Sequence, residues 1–352
     1  MATGQSRQAL DTSLLRGLRY SCLPGCGLCC FAEPLVAPTE KEGLLRLIPE
    51  AEFFARGGFE FVRSRPNGGA CQLLAEHRCT AHSARPEPCR EYPLTGYVGT
   101  RIQVVAALTC PGIDLTFLDG YRGPETAAPP WGLDAELSSL RAQLSGNIER
   151  RLDESGRRRR RIFRALATTG RWVDEEEVRR QLRGHLPIPA DDDFPATDPP
   201  SREEGLELLP LVFDRRGGPV AFATRPEGWE LIELRSKGGV ERSLGVTSPP
   251  DRLPALSEEA VRLLAGYLRY WLERDQLFGV VHLEMAENDR DTVTDWVVSE
   301  LRQIAALTIA RASVLAVLSR GGAGSLTGAD LQQGIRATDQ DLLDRPSWGT
   351  PL

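Results

Sequence analysis

Residues 22–30 read Cys22-Leu-Pro-Gly-Cys26-Gly-Leu-Cys29-Cys30, and this stretch decides how the first third of the chain can fold. It holds half of the eight cysteines in the chain, and no cysteine follows residue 110. The remaining cysteines are Cys71, Cys79, Cys89 and Cys110. Such clustering indicates that sulfur chemistry organises this region, through disulfides, a metal site or an iron–sulfur cluster.

Composition and charge limit which cellular compartment and which classes of partner fit the sequence. The 352 residues are 41% hydrophobic and 26% charged, which suits a two-domain globular protein, and a net charge of −6 gives no general attraction to nucleic acid or anionic membranes. Residues 1–11 are polar, and the most apolar stretch, 304–318, is too short to span a bilayer and carries Arg311. We therefore predict a cytoplasmic protein, where clustered cysteines favour metal binding or redox chemistry over disulfides.

The spacing of the first cysteines suits chelation. Cys26 and Cys29 are separated by two residues, so both thiolates can reach one ion through a tight turn, for which Gly25 and Gly27 give the backbone room. Cys22 can reach the same centre. Adjacent side chains diverge, so Cys30 is not expected in the same shell as Cys29. This leaves a multi-iron cluster, two centres, or one ligand beside a buried structural cysteine.

The later cysteines carry basic and imidazole neighbours. Arg85 and Arg90 surround Cys89, and arginines near thiolates stabilise their negative charge. His77 and His82 flank Cys79. Either imidazole could replace a thiolate, but a supporting or surface role is the favoured interpretation for both.

In order, these motifs resemble the YkgJ-type cysteine-cluster family, described by a CxxCxxCC signature and zinc or iron chelation. The resemblance covers residues 18–115 and rests on residues 22–30, on Cys71-Gln-Leu-Leu, and on residues 79–93, Cys-Thr-Ala-His-x-x-Arg-Pro-x-x-Cys-Arg-x-Tyr-Pro. One departure is the three-residue gap between Cys22 and Cys26, where the family has two. Some similar members are flagellin lysine N-methylases, which implies an enzyme as one extension, although no glycine-rich S-adenosylmethionine loop follows a strand here.

The predicted ligands are all eight cysteines, with Cys22 and Cys30 placed outside the principal set. The paired cysteines, the Cys110-Pro111 step and the surplus of thiols favour a 4Fe–4S cluster, and zinc stays the alternative. The ligand positions are Cys22, Cys26, Cys29, Cys30, Cys71, Cys79, Cys89 and Cys110.

The predicted fold class is α+β in three regions. A small irregular cysteine-rich domain covers 14–130, with a strand over 97–108. A helical connector and a Pro-rich linker cover 131–200. In the connector, leucines spaced by three or four residues predict a helix over 133–152, interrupted at Ser155-Gly156, and an acidic run predicts another helix from Asp174.

The third region, 201–345, is predicted as an α+β domain with a small sheet and packed helices. Strands are expected over 206–213, at the sheet edge because of Pro210, and over 220–224 and 229–234. Ser257 is a predicted N-cap, and 291–318 a long helix that ends before a glycine-rich loop. His282 and Glu284 are interpreted as exposed polar residues.

Three function classes fit these observations. They are a structural metal site on a binding or regulatory protein, an electron-transfer protein, and a protein-modifying enzyme such as a lysine methylase. The C-terminal region is expected to recognise a protein partner or substrate. The run Arg157–Arg161 is interpreted as a solvated helix face beside the acidic residues 174–177, and nucleic acid and membrane are not expected partners.

Overall fold

A computed structural model of the chain describes residues 10–351. Gaps in this description fall at 24–25, 32, 66–69, 76–77, 100, 125–128, 143–147, 191–211, 214–218, 226–227, 235–239, 249, 287–290, 322–323 and 344–349. The described residues form an α+β fold, which confirms the predicted class.

The strands are short in the first third of the chain and longer in the C-terminal region. They are β1 (Leu10–Asp11), β2 (Arg19–Tyr20), β3 (Phe53–Arg56), β4 (Phe59–Val62), β5 (Leu74–Ala75), β6 (Arg78–Cys79), β7 (Leu94–Val98), β8 (Ile102–Ala106), β9 (Ile113–Asp114), β10 (Val212–Phe213), β11 (Pro219–Arg225), β12 (Gly228–Leu234), β13 (Val240–Thr247) and β14 (Thr350–Pro351).

The helices of the described residues occur in all three predicted regions. They are α1 (Pro38–Leu47), α2 (Glu87–Glu91), α3 (Asp134–Ala142), α4 (Ile148–Thr168), α5 (Glu175–Arg183), α6 (Glu258–Leu272), α7 (Asp275–Met285), α8 (Val293–Arg320) and α9 (Gly328–Leu343). Short 3-10 turns cover Ser13–Leu15, Leu28–Phe31, His82–Ala84 and Leu115–Leu118.

A four-stranded sheet lies at the junction between the cysteine-rich region and the rest of the chain. Its order is β1-β8-β7-β14, with β1 parallel to β8 and the other pairs antiparallel. The single strand predicted over 97–108 is wrong, because the chain turns between Val98 and Ile102 and pairs β7 with β8 as a hairpin. Both strands are buried almost throughout, and the turn between them lies at Gly99 and Arg101, where the Gly99 amide donates to the Arg101 carbonyl at 2.9 Å.

The second sheet is antiparallel in the order β10-β11-β12-β13. The strands predicted at 220–224 and 229–234 are confirmed within β11 and β12. The described end of the first predicted strand, Val212–Phe213, lies at the sheet edge as expected. Pro210 lies outside the described residues. The last strand, β13, has no counterpart among the predicted strands.

The connector differs from its prediction at one point. Ser155-Gly156 does not interrupt a helix, because α4 runs through both residues from Ile148 to Thr168. Ser155 is buried, and its hydroxyl donates to the carbonyl of Val98 at 3.0 Å, so this position fixes α4 against the hairpin. The predicted helix start at Asp174 is confirmed: its carboxylate accepts from the amides of Glu176 and Glu177.

The long helix predicted over 291–318 is confirmed as α8, Val293–Arg320. It begins with a capping box between Thr292 and Asp295 and ends at Gly321, whose φ of 75° is the left-handed conformation of a helix stop. By length and composition α8 could cross a membrane, but 67% of its most apolar window is buried inside the protein. It packs against α6, α7, α9 and β13 as a core helix.

The main hydrophobic core draws on all three predicted regions. It joins Leu14 and Leu108 from the cysteine-rich region to Leu182 from the connector and to Phe278 and Leu331 from the C-terminal region. A second, smaller core lies beneath α1 and the β3–β4 ribbon and includes Cys71. The boundaries at 130 and 200 stay a prediction.

Candidate metal centre

The turn between Cys26 and Cys29 has the geometry that the spacing predicts. Gly27 has φ 62°, in the left-handed region, and the Leu28 amide donates to Cys26 Sγ at 3.5 Å. The Cys30 amide then closes the turn on the carbonyl of Gly27 at 3.0 Å. Gly27 therefore has the expected role, and Gly25 lies outside the described residues.

The same amide-to-sulfur contact recurs at three further cysteines. Cys71 accepts from the amide of Leu73, Cys79 from that of Ala81, and Cys110 from that of Gly112. In each case the donor is two residues after the cysteine, so the backbone folds around the sulfur. A donated amide hydrogen stabilises the thiolate form. Spacing alone did not reveal this feature, because it depends on the turn that follows each cysteine.

Five thiols interact electrostatically in what we call the Cys79 group: Cys29, Cys30, Cys71, Cys79 and Cys89. Several elements bring them together. The Cys71 amide donates to the Cys30 carbonyl at 2.5 Å, β6 ends at Cys79, and the short helix α2 carries Cys89. Cys30 and Cys79 pack against the smaller core that includes Cys71.

The other three thiols form the Cys110 group: Cys22, Cys26 and Cys110. A close backbone contact builds it. Ser21 donates to the carbonyl of Gly112 at 2.9 Å, and a Cβ at Gly112 would lie 2.5 Å from the Ser21 carbonyl oxygen. Only glycine allows this approach, which holds the Cys110 turn beside Cys22.

Two tyrosines donate to thiols of the Cys110 group. The Tyr20 hydroxyl bonds to Cys22 and the Tyr92 hydroxyl to Cys110, and burial followed by the nearby thiols raises the pKa of both phenols. Cys29 connects the two groups, because it interacts electrostatically with both Cys26 and Cys110 as well as with the Cys79 group.

Cys29 and Cys30 do not diverge as predicted. The Cys30 thiol donates to the Cys29 sulfur, and this bond, helped by the positive charge of Arg85, lowers the pKa of Cys29 to about 7. The same bond and burial raise the pKa of Cys30. The 3-10 turn Leu28–Phe31 brings the two adjacent sulfurs together. Cys29 is therefore the thiol most ready to ionise near neutral pH.

Among the other thiols whose pKa is changed by the fold, burial opposes ionisation. It raises the pKa of Cys89 and of Cys110 to about 12, and it raises the pKa of Cys26, Cys71 and Cys79 as well. Neighbouring thiols add to this effect. Several buried thiols cannot ionise together unless a cation replaces their protons, and a bound metal does this.

Two arginines supply positive charge to the thiols. Arg85 acts on Cys29, Cys79 and Cys89, and its Nε is buried without a hydrogen-bond partner among the described residues. Arg336, from α9, acts on Cys26 and Cys110. Arg90 donates to the Glu40 carboxylate at 3.0 Å and to the Arg85 carbonyl at 2.5 Å, so its role beside a thiolate stays a prediction.

His82 is exposed at the start of a 3-10 turn, in agreement with the predicted surface role, and His77 lies outside the described residues. His282, predicted to be exposed, is instead fully buried in α7.

The donor set fits a thiolate-bound metal or cluster in its chemistry. All eight cysteines are free thiols, and four have an amide donor folded onto the sulfur. The buried Nε of Arg85 has no acceptor within the part of the chain that the structure describes. The thiols do not, however, form a closed shell. Within the described part of the chain, no three cysteine, histidine or carboxylate side chains are arranged as the ligands of one ion. Which of the eight cysteines bind stays a prediction.

Comparisons with known proteins address the cysteine-rich region alone. A search of curated proteins and a search of solved structures each gave no match. One family model matches residues 21–111: CxxCxxCC, described as a "Putative zinc- or iron-chelating domain". The matched residues include every cysteine of both thiol groups. The region from residue 21 to residue 111 is thus a cysteine-cluster domain of the CxxCxxCC family.

Proposed function

We propose that this protein is a cytoplasmic metalloprotein whose residues 21–111 chelate a metal cofactor through cysteine thiolates. The observation that carries the proposal is the repeated amide-to-sulfur bond at Cys26, Cys71, Cys79 and Cys110. Four backbone turns folded around four sulfurs prepare thiolates, and burial makes those thiolates costly without a cation. A cytoplasmic location suits eight free thiols, because that compartment keeps cysteines reduced.

For the cofactor we favour a 4Fe–4S cluster over zinc. The adjacent Cys29 and Cys30, the Cys110-Pro111 step and the surplus of thiols over the four that one zinc ion needs support this choice. Bound there, a cluster would supply one-electron chemistry, whereas zinc would supply structural cross-links.

The chain's own residues would set the environment of that centre. Arg85 would turn its unpartnered Nε–H towards a ligand sulfur, and the Tyr92 hydroxyl would keep its bond to Cys110. Such donors to sulfur tune the charge and reactivity of a thiolate centre. Binding would also stabilise the fold, because the smaller core that includes Cys71 has few buried apolar residues of its own.

The decisive experiment is anaerobic purification followed by elemental analysis, acid-labile sulfide assay and an absorption spectrum. We expect iron and sulfide in equal amounts with a brown chromophore for a cluster, or colourless protein with stoichiometric zinc for the alternative. Cys71→Ser and Cys110→Ser should each lower the metal content, because each removes one amide-bonded thiol from a different group.

Two glycine variants separate ligand loss from general damage. Gly112→Ala should lower the metal content by pushing the Cys110 turn away from Ser21, whereas Gly43→Ala in α1 has open space around its Cβ and should leave metal content unchanged. Wild-type protein that lacks stoichiometric iron and zinc, or whose cysteines are paired as disulfides, would contradict the proposal.

A further inference from the structure

The second half of α4 carries a dense run of positive charge. Of the eight residues from 157 to 164, six are arginines and none is acidic. The first half of the helix is balanced instead: residues 149–154 contain three acids and two arginines, and Arg150 pairs with Glu154 at 4.0 Å. The run begins about three turns before the helix ends at Thr168, so a favourable interaction with the helix dipole does not account for it.

Helical periodicity divides these arginines between two sides of α4. Residues spaced by three or four share one face of a helix. The stripe that packs on the protein consists of Ser155, the half-buried Arg159, Ile162 and Leu166. On the opposite side lie four exposed arginines that we call the Arg157 face: Arg157, Arg160, Arg161 and Arg164.

The acidic run at the start of α5 does not neutralise the Arg157 face. Its Glu175 pairs with Arg159 at 2.8 Å, on the packed side of α4. Asp174 accepts from two backbone amides in the first turn of α5, and Glu176 and Glu177 pair with arginines of α5 itself. Each of the four carboxylates therefore has a partner other than the Arg157 face.

Within the described ranges of the chain, no arginine of the Arg157 face forms an ion pair. Like charges three and four residues apart on a helix repel one another and lower its stability. Neither packing nor helix stability therefore explains why four guanidinium groups are placed together in solvent.

We propose that the Arg157 face is a docking surface for a short acidic segment of a partner protein. Forked guanidinium groups bind carboxylates in pairs of parallel hydrogen bonds, and clusters of arginines are a recurrent means of recognising acidic motifs. The inference does not rest on the proposed metal centre.

The surroundings of the Arg157 face favour a protein segment over a membrane. A helix that binds the membrane interface needs an apolar face to insert. Phe163, the exposed large apolar side chain beside the Arg157 face, instead packs edge-to-face on Trp172, with ring centroids 4.7 Å apart.

The extent of the Arg157 face also favours a short protein segment over nucleic acid. The four arginines span about 10 Å along the helix axis, whereas a strongly salt-dependent DNA-binding protein makes roughly 6–10 phosphate contacts. The exposed Asp153 and Glu154 continue the same side of α4 one turn before Arg157, where they would repel a longer polyanion. A segment with a few carboxylates can end before them.

The test measures fluorescence anisotropy of labelled hexaglutamate and hexaglutamine peptides with the full chain at low salt. We expect hexaglutamate to bind and hexaglutamine not to bind, with an affinity that falls as salt is added. Combining Arg157→Gln, Arg161→Gln and Arg164→Gln should weaken hexaglutamate binding roughly tenfold, because three exposed charge pairs are lost. Glutamine has a helix propensity close to that of arginine, so α4 should remain folded.

A second triple variant controls for net charge. It combines Arg46→Gln, Arg122→Gln and Arg252→Gln, which are exposed residues of three separate segments. This variant should bind hexaglutamate as wild type does, and equal weakening in the two triple variants would overturn the Arg157 face as the binding surface. Tighter binding of a double-stranded oligonucleotide or of phosphatidylserine vesicles than of hexaglutamate would overturn the choice of an acidic protein segment.

Thermal unfolding followed by circular dichroism gives a readout that needs no ligand. The variant with three substitutions on the Arg157 face should melt at or above the temperature of wild type, because repulsion between its arginines is reduced. A lower melting temperature would show that these arginines stabilise α4 themselves, and would overturn their assignment to partner binding. Neither readout involves the thiols, so the test is valid whether or not the protein binds metal.

Discussion

His282 is the residue whose environment departs most from its sequence context. It is fully buried in α7, stacks on Trp172 with ring centroids 4.6 Å apart, and has no hydrogen-bond partner on either ring nitrogen among the described residues. Burial, and then the nearby Arg159, lowers its pKa from 6.5 to about 3. The Glu175 carboxylate is 3.9 Å away but is already paired with Arg159 at 2.8 Å.

This histidine should make the fold sensitive to acid. Below pH 6.5 the His282 imidazole binds a proton in the unfolded chain but stays neutral in the folded chain. The free energy of unfolding therefore has its full value above pH 6.5 and falls as the pH is lowered towards 3. The loss at pH 5 should be about 2 kcal/mol. His282→Phe, which keeps the stack on Trp172, should remove that part of the pH dependence in urea unfolding measured at pH 7.5 and pH 5.

His185→Gln is the control, because His185 is exposed, and it should keep the wild-type pH dependence. Equal pH dependence for wild type and His282→Phe would show that His282 does not carry the effect.

At this scale the sequence predicted the chemistry of the site better than its geometry. The family motif and the cysteine cluster could be recognised in the sequence, and Gly27 was correctly assigned to the turn between Cys26 and Cys29. The bond between Cys29 and Cys30 was missed, because it depends on a local 3-10 turn. The burial of His282 was also missed, because α7 is apolar on most of its surface and shows no polar face.

Among the elements, two glycines in helix interiors have opposite environments. Gly156 lies within α4, and its nearest neighbour would be the end of the flexible Arg160 side chain at 3.3 Å. Gly334 lies within α9 and faces the backbone of α8, with Thr308 O at 2.4 Å and the Ala312 Cβ at 2.7 Å. The first glycine therefore costs helix stability, and the second makes helix packing possible.

Alanine at these two positions should have effects of opposite sign. Gly156→Ala should raise the free energy of unfolding by about 0.5–1 kcal/mol, because alanine restricts the unfolded chain and favours helix. Gly334→Ala should lower it by roughly 1–3 kcal/mol, because α8 and α9 must separate. Both values follow from urea unfolding at pH 7.5. A stabilised Gly334→Ala would mean that the two helices are not in close contact.

Helix capping made several elements predictable, and long-range contacts limited the rest. The N-caps at Asp174 and Ser257 and the stop at Gly321 are local signals, and each was confirmed. Ser155-Gly156 carries the same kind of signal for a break, yet the helix continues. There the buried bond from Ser155 to Val98, 57 residues away, outweighs the local preference.

For the whole molecule, a fully buried ion pair connects distant parts of the chain. Arg274, between α6 and α7, donates to Asp339 of α9 at 3.0 Å, and neither side chain is exposed. Tyr270 and Trp271 lie against the guanidinium at 4.7 and 4.0 Å. Asp339 also accepts a hydrogen bond from the Leu108 amide, so one carboxylate connects α9 to the α6–α7 junction and to the end of the β7–β8 hairpin.

Removing that carboxylate charge should destabilise the protein as one unit. Asp339→Asn leaves Arg274 buried without its counter-ion, and we expect a loss of about 3–5 kcal/mol. Wild-type urea unfolding followed by tryptophan fluorescence and by far-UV circular dichroism should give coincident curves, because one core draws on all three regions.

Asp119→Asn, which breaks the exposed pair with Arg262, should change stability little. Separate transitions in the wild type would mean that the regions unfold independently, and a mild Asp339→Asn would mean that the ion pair contributes little.

The contact at Leu108 has a practical consequence for anyone who wishes to express the metal-binding part alone. A fragment cut at residue 111 would lose Asp339, which accepts from the Leu108 amide, and Arg336, which donates to the carbonyls of Leu108 and Cys110. The Leu108 amide and these two carbonyls would then be open to water. Its β7–β8 hairpin would also expose apolar side chains, because β7 normally packs against α3 and α4 and the hairpin contributes Leu94, Val104 and Val105 to the main core. Such a truncation invites aggregation, so biophysical work on the cofactor is best begun with the intact polypeptide.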